Sequence, residues 1–91
     1  MKEREVVVGH RLGLHARAAA RLVQLSSQFQ SNIVLFRADG ANAAKPPAEA
    51  DARSILSILL LSAGYGSKLG VRADGSDEEE AVNKICDYLT G

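Results

Sequence analysis

Cysteine, tryptophan and long apolar runs are scarce or missing from this chain. Its 91 residues include one cysteine, Cys86, and no tryptophan, with two tyrosines and two phenylalanines. One cysteine cannot build a disulfide framework or a zinc cluster within a chain, and a chain without disulfides suits a reducing compartment. So few aromatic rings leave no platform for stacking bases. A formal net charge of +0 supplies no basic field for a nucleic-acid backbone. The longest apolar stretch, Ile55–Ala63 (ILSILLLSA), is too short to span a bilayer and contains serines. The opening MKEREVVV passes from charge straight into a β-like run, without the apolar region of a signal peptide. The expectation is a soluble, cytoplasmic, monomeric protein of one domain over residues 1–91, inserting into no membrane and binding no nucleic acid.

Acidic residues are missing from one region. Between Val6 and Ala38 there is no Asp or Glu, but there are four arginines, Arg11, Arg17, Arg21 and Arg37. The remaining segments hold seven basic and eleven acidic residues, so +4 faces −4. Local sign steers partners more than the net charge does.

The elements can be placed from periodicity and breakers. Arg4–Val8 is β-branched and reads as a strand. From Ala16 to about Gln28, apolar residues recur at Ala18, Ala19, Leu22, Leu25 or Ser26, and Phe29, which is helical spacing with one buried face. Ser31–Arg37 is a second strand, and Ala38–Gly40 is a turn signal of the Asp-Gly type. The segment Ala41–Ala52 has poor strand formers and two prolines, so a short edge strand is expected around Ala41–Ala44, followed by a surface loop. Ser54 can cap a short apolar helix that Gly64 and Gly66 can end. Ser67–Ala73 is a strand. The last helix has a capping box at Ser76 and Glu79, with Asp77 and Glu80 as a competing register. Its buried stripe is Ala81, Val82, Ile85, Cys86 and Leu89. The order β-α-β-β-α-β-α predicts an α+β open-faced sandwich.

The start of the first helix inverts the usual charge rule. Helix N-termini favour acids, yet His15, Arg17 and Arg21 stand here, with His10 and Arg11 just upstream. The inversion makes sense if an anion occupies the backbone N–H groups of Ala16, Arg17 and Ala18, because helix N-termini bind anions and the arginine fork suits phosphate oxygens. Gly13 permits close approach and unusual backbone angles. The positive helix end disfavours imidazolium at His15 and leaves a neutral, nucleophilic imidazole. A phosphoryl group received there would land among the helix N–H groups and Arg17. His10 reads as a loop or strand-end residue, and two histidines without a nearby carboxylate or cysteine make no metal site.

Three strings carry a resemblance. GLHARAAARLV (Gly13–Val23) resembles the active-site motif of the HPr family, the histidine-containing phosphocarriers of the bacterial phosphoenolpyruvate-dependent phosphotransferase system. ARSILSIL (Ala52–Leu59) resembles that family's second motif, and SKLGVRADGSDEEEAV (Ser67–Val82) its last strand and helix start. The resemblance implies a four-stranded antiparallel sheet with three helices on one side. It implies a carrier rather than an enzyme with its own turnover, and no cofactor. His15 would accept phosphate on Nδ1 from enzyme I and pass it to the A domains of sugar permeases or regulators. Arg17 would hold the phosphoryl group. Ser54 would match the serine that an HPr kinase/phosphorylase modifies, and Ile55, Leu56 and Leu59 the apolar docking patch. Arg21 would steer acidic partners.

The chain departs from the family pattern twice. Ala18 stands where the family usually has proline, which keeps the helix and restores an N–H donor. The segment Asn42–Asp51 is longer than usual and is expected to extend a loop. Two other functions compete with the carrier: a docking-only regulator, against which His15 and Arg17 both argue, and a small phosphatase, for which no general base accompanies His15.

Overall fold

Four strands lie side by side in one antiparallel sheet, in the order β1-β4-β2-β3. In the computed structural model, which describes residues 1–38 and 49–91, β1 is Lys2–Val7, β2 Asn32–Arg37, β3 Glu49–Asp51 and β4 Lys68–Asp74. The helices are α1 (Ala16–Ser26), α2 (Ile55–Leu60) and α3 (Glu78–Leu89). This is the open-faced β-sandwich expected from the element order.

Alternation along the strands sorts the two faces. Val6, Ile33, Leu35, Leu69, Val71 and Ala73 are buried in the core that the helices cover. Register places Leu35 opposite Val71 on β4 and opposite Ala50 on β3. From the helices, Leu22, Ile58, Ile85 and Leu89 are fully buried, and burying such a side chain stabilises the fold by about 1.5–3 kcal/mol. On the other face, Arg72 reaches Glu3 at 3.2 Å and Glu49 at 3.0 Å. Its guanidinium sits 5.0 Å from the centre of the Phe36 ring. That face is charged and open to solvent.

Several boundaries differ from the sequence reading. The edge strand expected around Ala41–Ala44 lies outside the described residues. Of the stretch expected as loop, Glu49–Asp51 is strand, because Ala50 pairs with Leu35 and is buried beneath α2. Helix α1 stops at Ser26, so Phe29 packs against the core from the following turn. Helix α2 ends before the glycines. Ser62 takes the left-handed conformation, at φ 51°, and Arg37 from β2 donates to the Leu61 and Ser62 carbonyls at 3.2 Å. Arg37 is thereby spent on the end of α2 rather than on the start of α1.

The capping box at Ser76 and Glu79 does not form, and neither does the register from Asp77 to Glu80. Asp77 is the N-cap of α3 but makes no side-chain cap bond. Its carboxylate instead accepts from Ser31 Oγ at 2.6 Å and from the backbone N–H groups of Gln30 and Ser31, both at 2.9 Å. The Ser31 hydroxyl first, then these amides, hold the Asp77 carboxyl below the usual carboxylate range. The buried stripe of α3 is the one read from periodicity: Ala81, Val82, Ile85, Cys86 and Leu89. Burial pushes the Cys86 thiol up.

Candidate functional site

The site is built where β1 leaves the sheet. Gly9 donates to the Leu89 carbonyl at 2.9 Å, so the chain passes the C-terminal end of α3. A turn follows, closed by Gly13 N–H donating to the His10 carbonyl at 2.8 Å. Gly13 has φ +70°, and a Cβ there would lie 2.7 Å from the Ala63 carbonyl oxygen and 2.8 Å from Gly64 Cα. Next to it, Leu14 is buried and donates to Ala63 O at 2.9 Å. The loop is thus clamped between α3 and the segment after α2, and His15 emerges at a fixed point.

His15 is the N-cap of α1, with extended backbone, and its carbonyl accepts the first helical bond from Ala19 N at 2.8 Å. Its Nδ1 accepts from the Arg17 N–H at 3.3 Å. A ring nitrogen that accepts carries the lone pair, so Nδ1 faces the helix with its electron pair available and Nε2 holds the hydrogen. The first turn contains no acid. The N–H groups of Ala16 and Ala18 have no partner within the helix. His15, Ala16, Arg17 and Arg21 are exposed, while Ala18 is buried against the core.

A shallow cleft of ≈ 270 Å³ opens on this helix start, lined by His10, His15, Arg17, Ala18, Arg21 and Tyr88. The structure therefore brings together His15, Arg17 and Arg21 of the inverted helix start, while Arg11 from just upstream does not line the cleft. It also brings in His10, which the sequence reading had left just upstream as a loop or strand-end residue, and Tyr88, which that reading had not placed there. His10 Nε2 lies 2.7 Å from the Tyr88 carbonyl, and the two rings are 4.9 Å apart. The Tyr88 hydroxyl donates to the Ala18 carbonyl at 3.3 Å, tying α3 to the first turn of α1. Tyr88 stands three residues after Ile85, on the flank of the apolar stripe of α3, which was the one local hint of its inward position.

Ser54 lies apart from this cleft. It is the N-cap of α2, and its Oγ accepts from Ser57 N–H at 3.2 Å. Ile55 and Leu56 are exposed as expected, but Leu59 is partly buried against the core. Leu60, 73% exposed, is the outward residue there, and Leu12 and Tyr65 are also exposed. Among the described residues, no helix is long and apolar enough to cross a membrane.

The fold and site together define a class of small protein: a four-stranded open-faced sandwich with an exposed histidine at an acid-free helix start, its Nδ1 accepting from a first-turn N–H. More narrowly, the chain belongs to the HPr family: residues 2–90 match the family model described as "PTS HPr component phosphorylation site". Phosphocarrier protein HPr of Xylella fastidiosa is 41% identical over 89 residues, which cover 98% of this chain and 91% of that protein. Phosphocarrier protein NPr of Proteus mirabilis is 38% identical over 82 residues, covering 90% of this chain and 83% of that one. The crystal structure of HPr from Bacillus anthracis superposes with a TM-score of 0.83 at 31% identity, covering 97% of this chain and 95% of that chain. The protein is a phosphocarrier of a phosphotransferase system.

Proposed function

We propose that His15 is the phosphoryl acceptor of this carrier and that Arg17 and the first-turn N–H groups hold the phosphoryl oxygens. One observation carries the reading: His15 Nδ1 accepts from the Arg17 N–H at 3.3 Å. The lone pair that makes this bond is the one that would attack phosphorus. Phosphorylation at Nδ1 replaces the imidazole as acceptor with phosphoryl oxygens, which are stronger acceptors at the same N–H groups. Ala18 contributes an N–H that a proline would lack. Arg17, which gains nothing from the dipole of the bare helix, gains an anion.

The donor is enzyme I, and the acceptors are the A domains of sugar permeases or regulators. The chain acts in the cytoplasm as a substrate of these transferases, without turnover of its own. Arg21, together with the exposed Ile55, Leu56 and Leu60, forms the surface that acidic, partly apolar partners meet. Ser54 is the regulatory position. A phosphate there would stay at a helix N-terminus while adding negative charge to the docking side.

The test is intact mass after incubation with phosphoenolpyruvate and enzyme I. One acid-labile phosphoryl group on the wild type and none on His15→Ala is the expected result. No phosphoryl group on a folded wild type, with enzyme I itself phosphorylated, would favour a docking-only regulator. Release of free phosphate with turnover would favour a phosphatase.

A further inference from the structure

The cleft contains a second histidine to which the carrier reading gives no task. His10 is half-buried, and its Nε2 lies 2.7 Å from the Tyr88 carbonyl. A carbonyl oxygen only accepts, so Nε2 carries the hydrogen and donates. With Nε2 committed and the ring set against Tyr88, Nδ1 is the one position at which His10 gains or loses a proton. Tyr88 lies in the last turn of α3, which has no basic residue of its own. The carbonyl end of that helix receives an N–H donor from His10, 78 residues away in sequence. His15 stands at the opposite kind of helix end, among N–H groups. One cleft therefore presents two imidazoles, one set against helix carbonyls and one against helix amides.

We infer that His10 is a proton-dependent cation of the phosphoryl site, an inference that rests on His15 being the acceptor. In the transfer, the Nδ1 lone pair of His15 forms a bond to phosphorus as the donor's bond to phosphorus breaks, and the donor keeps that electron pair. The cleft gains an anionic group. His10 Nδ1 takes one proton from water, and its charge offsets part of the new negative charge. Passing the phosphoryl group on returns the proton to water. The carrier's phosphorylation equilibrium then depends on pH through His10, and lower pH favours the phosphorylated form.

His15 and the phosphoryl group it accepts share this cleft and can exchange protons in the same range, but their contribution is common to wild type and His10→Gln; the remaining charged groups around His10 do not supply the dependence. Arg11 in the same turn and Arg17 and Arg21 on α1 stay cationic across the range in which a histidine titrates. The Tyr88 hydroxyl keeps its hydrogen in its bond to Ala18. Asp87 on α3 is exposed. Carboxyl groups titrate well below this range.

The test compares wild type with His10→Gln, because a glutamine amide can still donate to the Tyr88 carbonyl but cannot take up a proton. The equilibrium constant for phosphoryl exchange with enzyme I is measured between about pH 6 and about pH 8. Relative to His10→Gln, the wild-type constant is expected to fall by about threefold or more as pH rises, the equivalent of about half a pH unit of linkage. In the wild type alone, ¹⁵N NMR should show the His10 titration midpoint moving to higher pH when His15 is phosphorylated; this needs no variant. Parallel pH profiles for the two proteins, or a His10 midpoint that does not move, would overturn the inference while leaving His15 as acceptor. A wild type that takes no phosphoryl group overturns both readings.

Discussion

Replacing Gly13 by alanine tests whether the clamp beneath His15 is what the geometry says it is. Two costs add at this position. A side chain at φ +70° pays about 1–2 kcal/mol for left-handed backbone. The new Cβ would also lie 2.7 Å from Ala63 O and 2.8 Å from Gly64 Cα, both backbone atoms. The loop must then move off Ala63, stretching the neighbouring Leu14 N–H bond to the same oxygen, now 2.9 Å, at a further cost of about 1–2 kcal/mol. The expected loss is about 2–4 kcal/mol, a drop in Tm of about 8 °C or more for a chain this size. Gly66→Ala is the matched control. Gly66 has φ +86°, but nothing lies within 4 Å of its Cβ position, so only the backbone cost applies. Urea unfolding followed by circular dichroism gives both stabilities, and the phosphoryl-transfer rate of the folded fraction reports on His15. Gly13→Ala should lose more stability than Gly66→Ala and should also slow transfer. Equal losses in the two variants, with transfer unchanged, would refute the clamp.

Three further outcomes follow from the structure. Ser54→Ala removes the cap bond to Ser57 and should destabilise by about 1 kcal/mol in the same urea assay. Asp77 has a lowered folded pKa, so its contribution is present above the ordinary Asp pKa and is lost as pH falls through the folded value; the stability gap between wild type and Asp77→Ala should be full near neutral pH and close in acid. Arg21→Glu should slow phosphoryl transfer and weaken its salt dependence, and a rate and salt slope equal to wild type would remove steering from the account.

What was legible in the sequence depended on how local its cause is. The stripe of α3 could be read outright, because the 3.6-residue period and three acids in its first turn agree. His15 and Arg17 were legible because an acid-free helix start is itself a local anomaly, and the Gly-Leu-His-x-Arg string sharpened it. The features that were missed have distant partners. Strand β3 is three residues long and exists because Ala50 meets Leu35, which no propensity in Glu49–Asp51 announces. Asp77 left its expected capping role because Ser31, 46 residues away, offers its hydroxyl and amide. Helix α2 ends before the glycines, at a left-handed Ser62, and the Leu61 and Ser62 carbonyls just past its end find their donor in Arg37 from β2. His10 read as a plain loop residue because the carbonyl it binds belongs to the other end of the chain.

The central claim is attachment of the phosphoryl group to one named atom. The protein, labelled with ¹⁵N in its histidine rings, would be phosphorylated by phosphoenolpyruvate and enzyme I and its ¹⁵N–³¹P couplings recorded. The account predicts a single coupling, to Nδ1 of His15, and none in His15→Ala. A coupling to Nε2 of His15, or to His10, would contradict it.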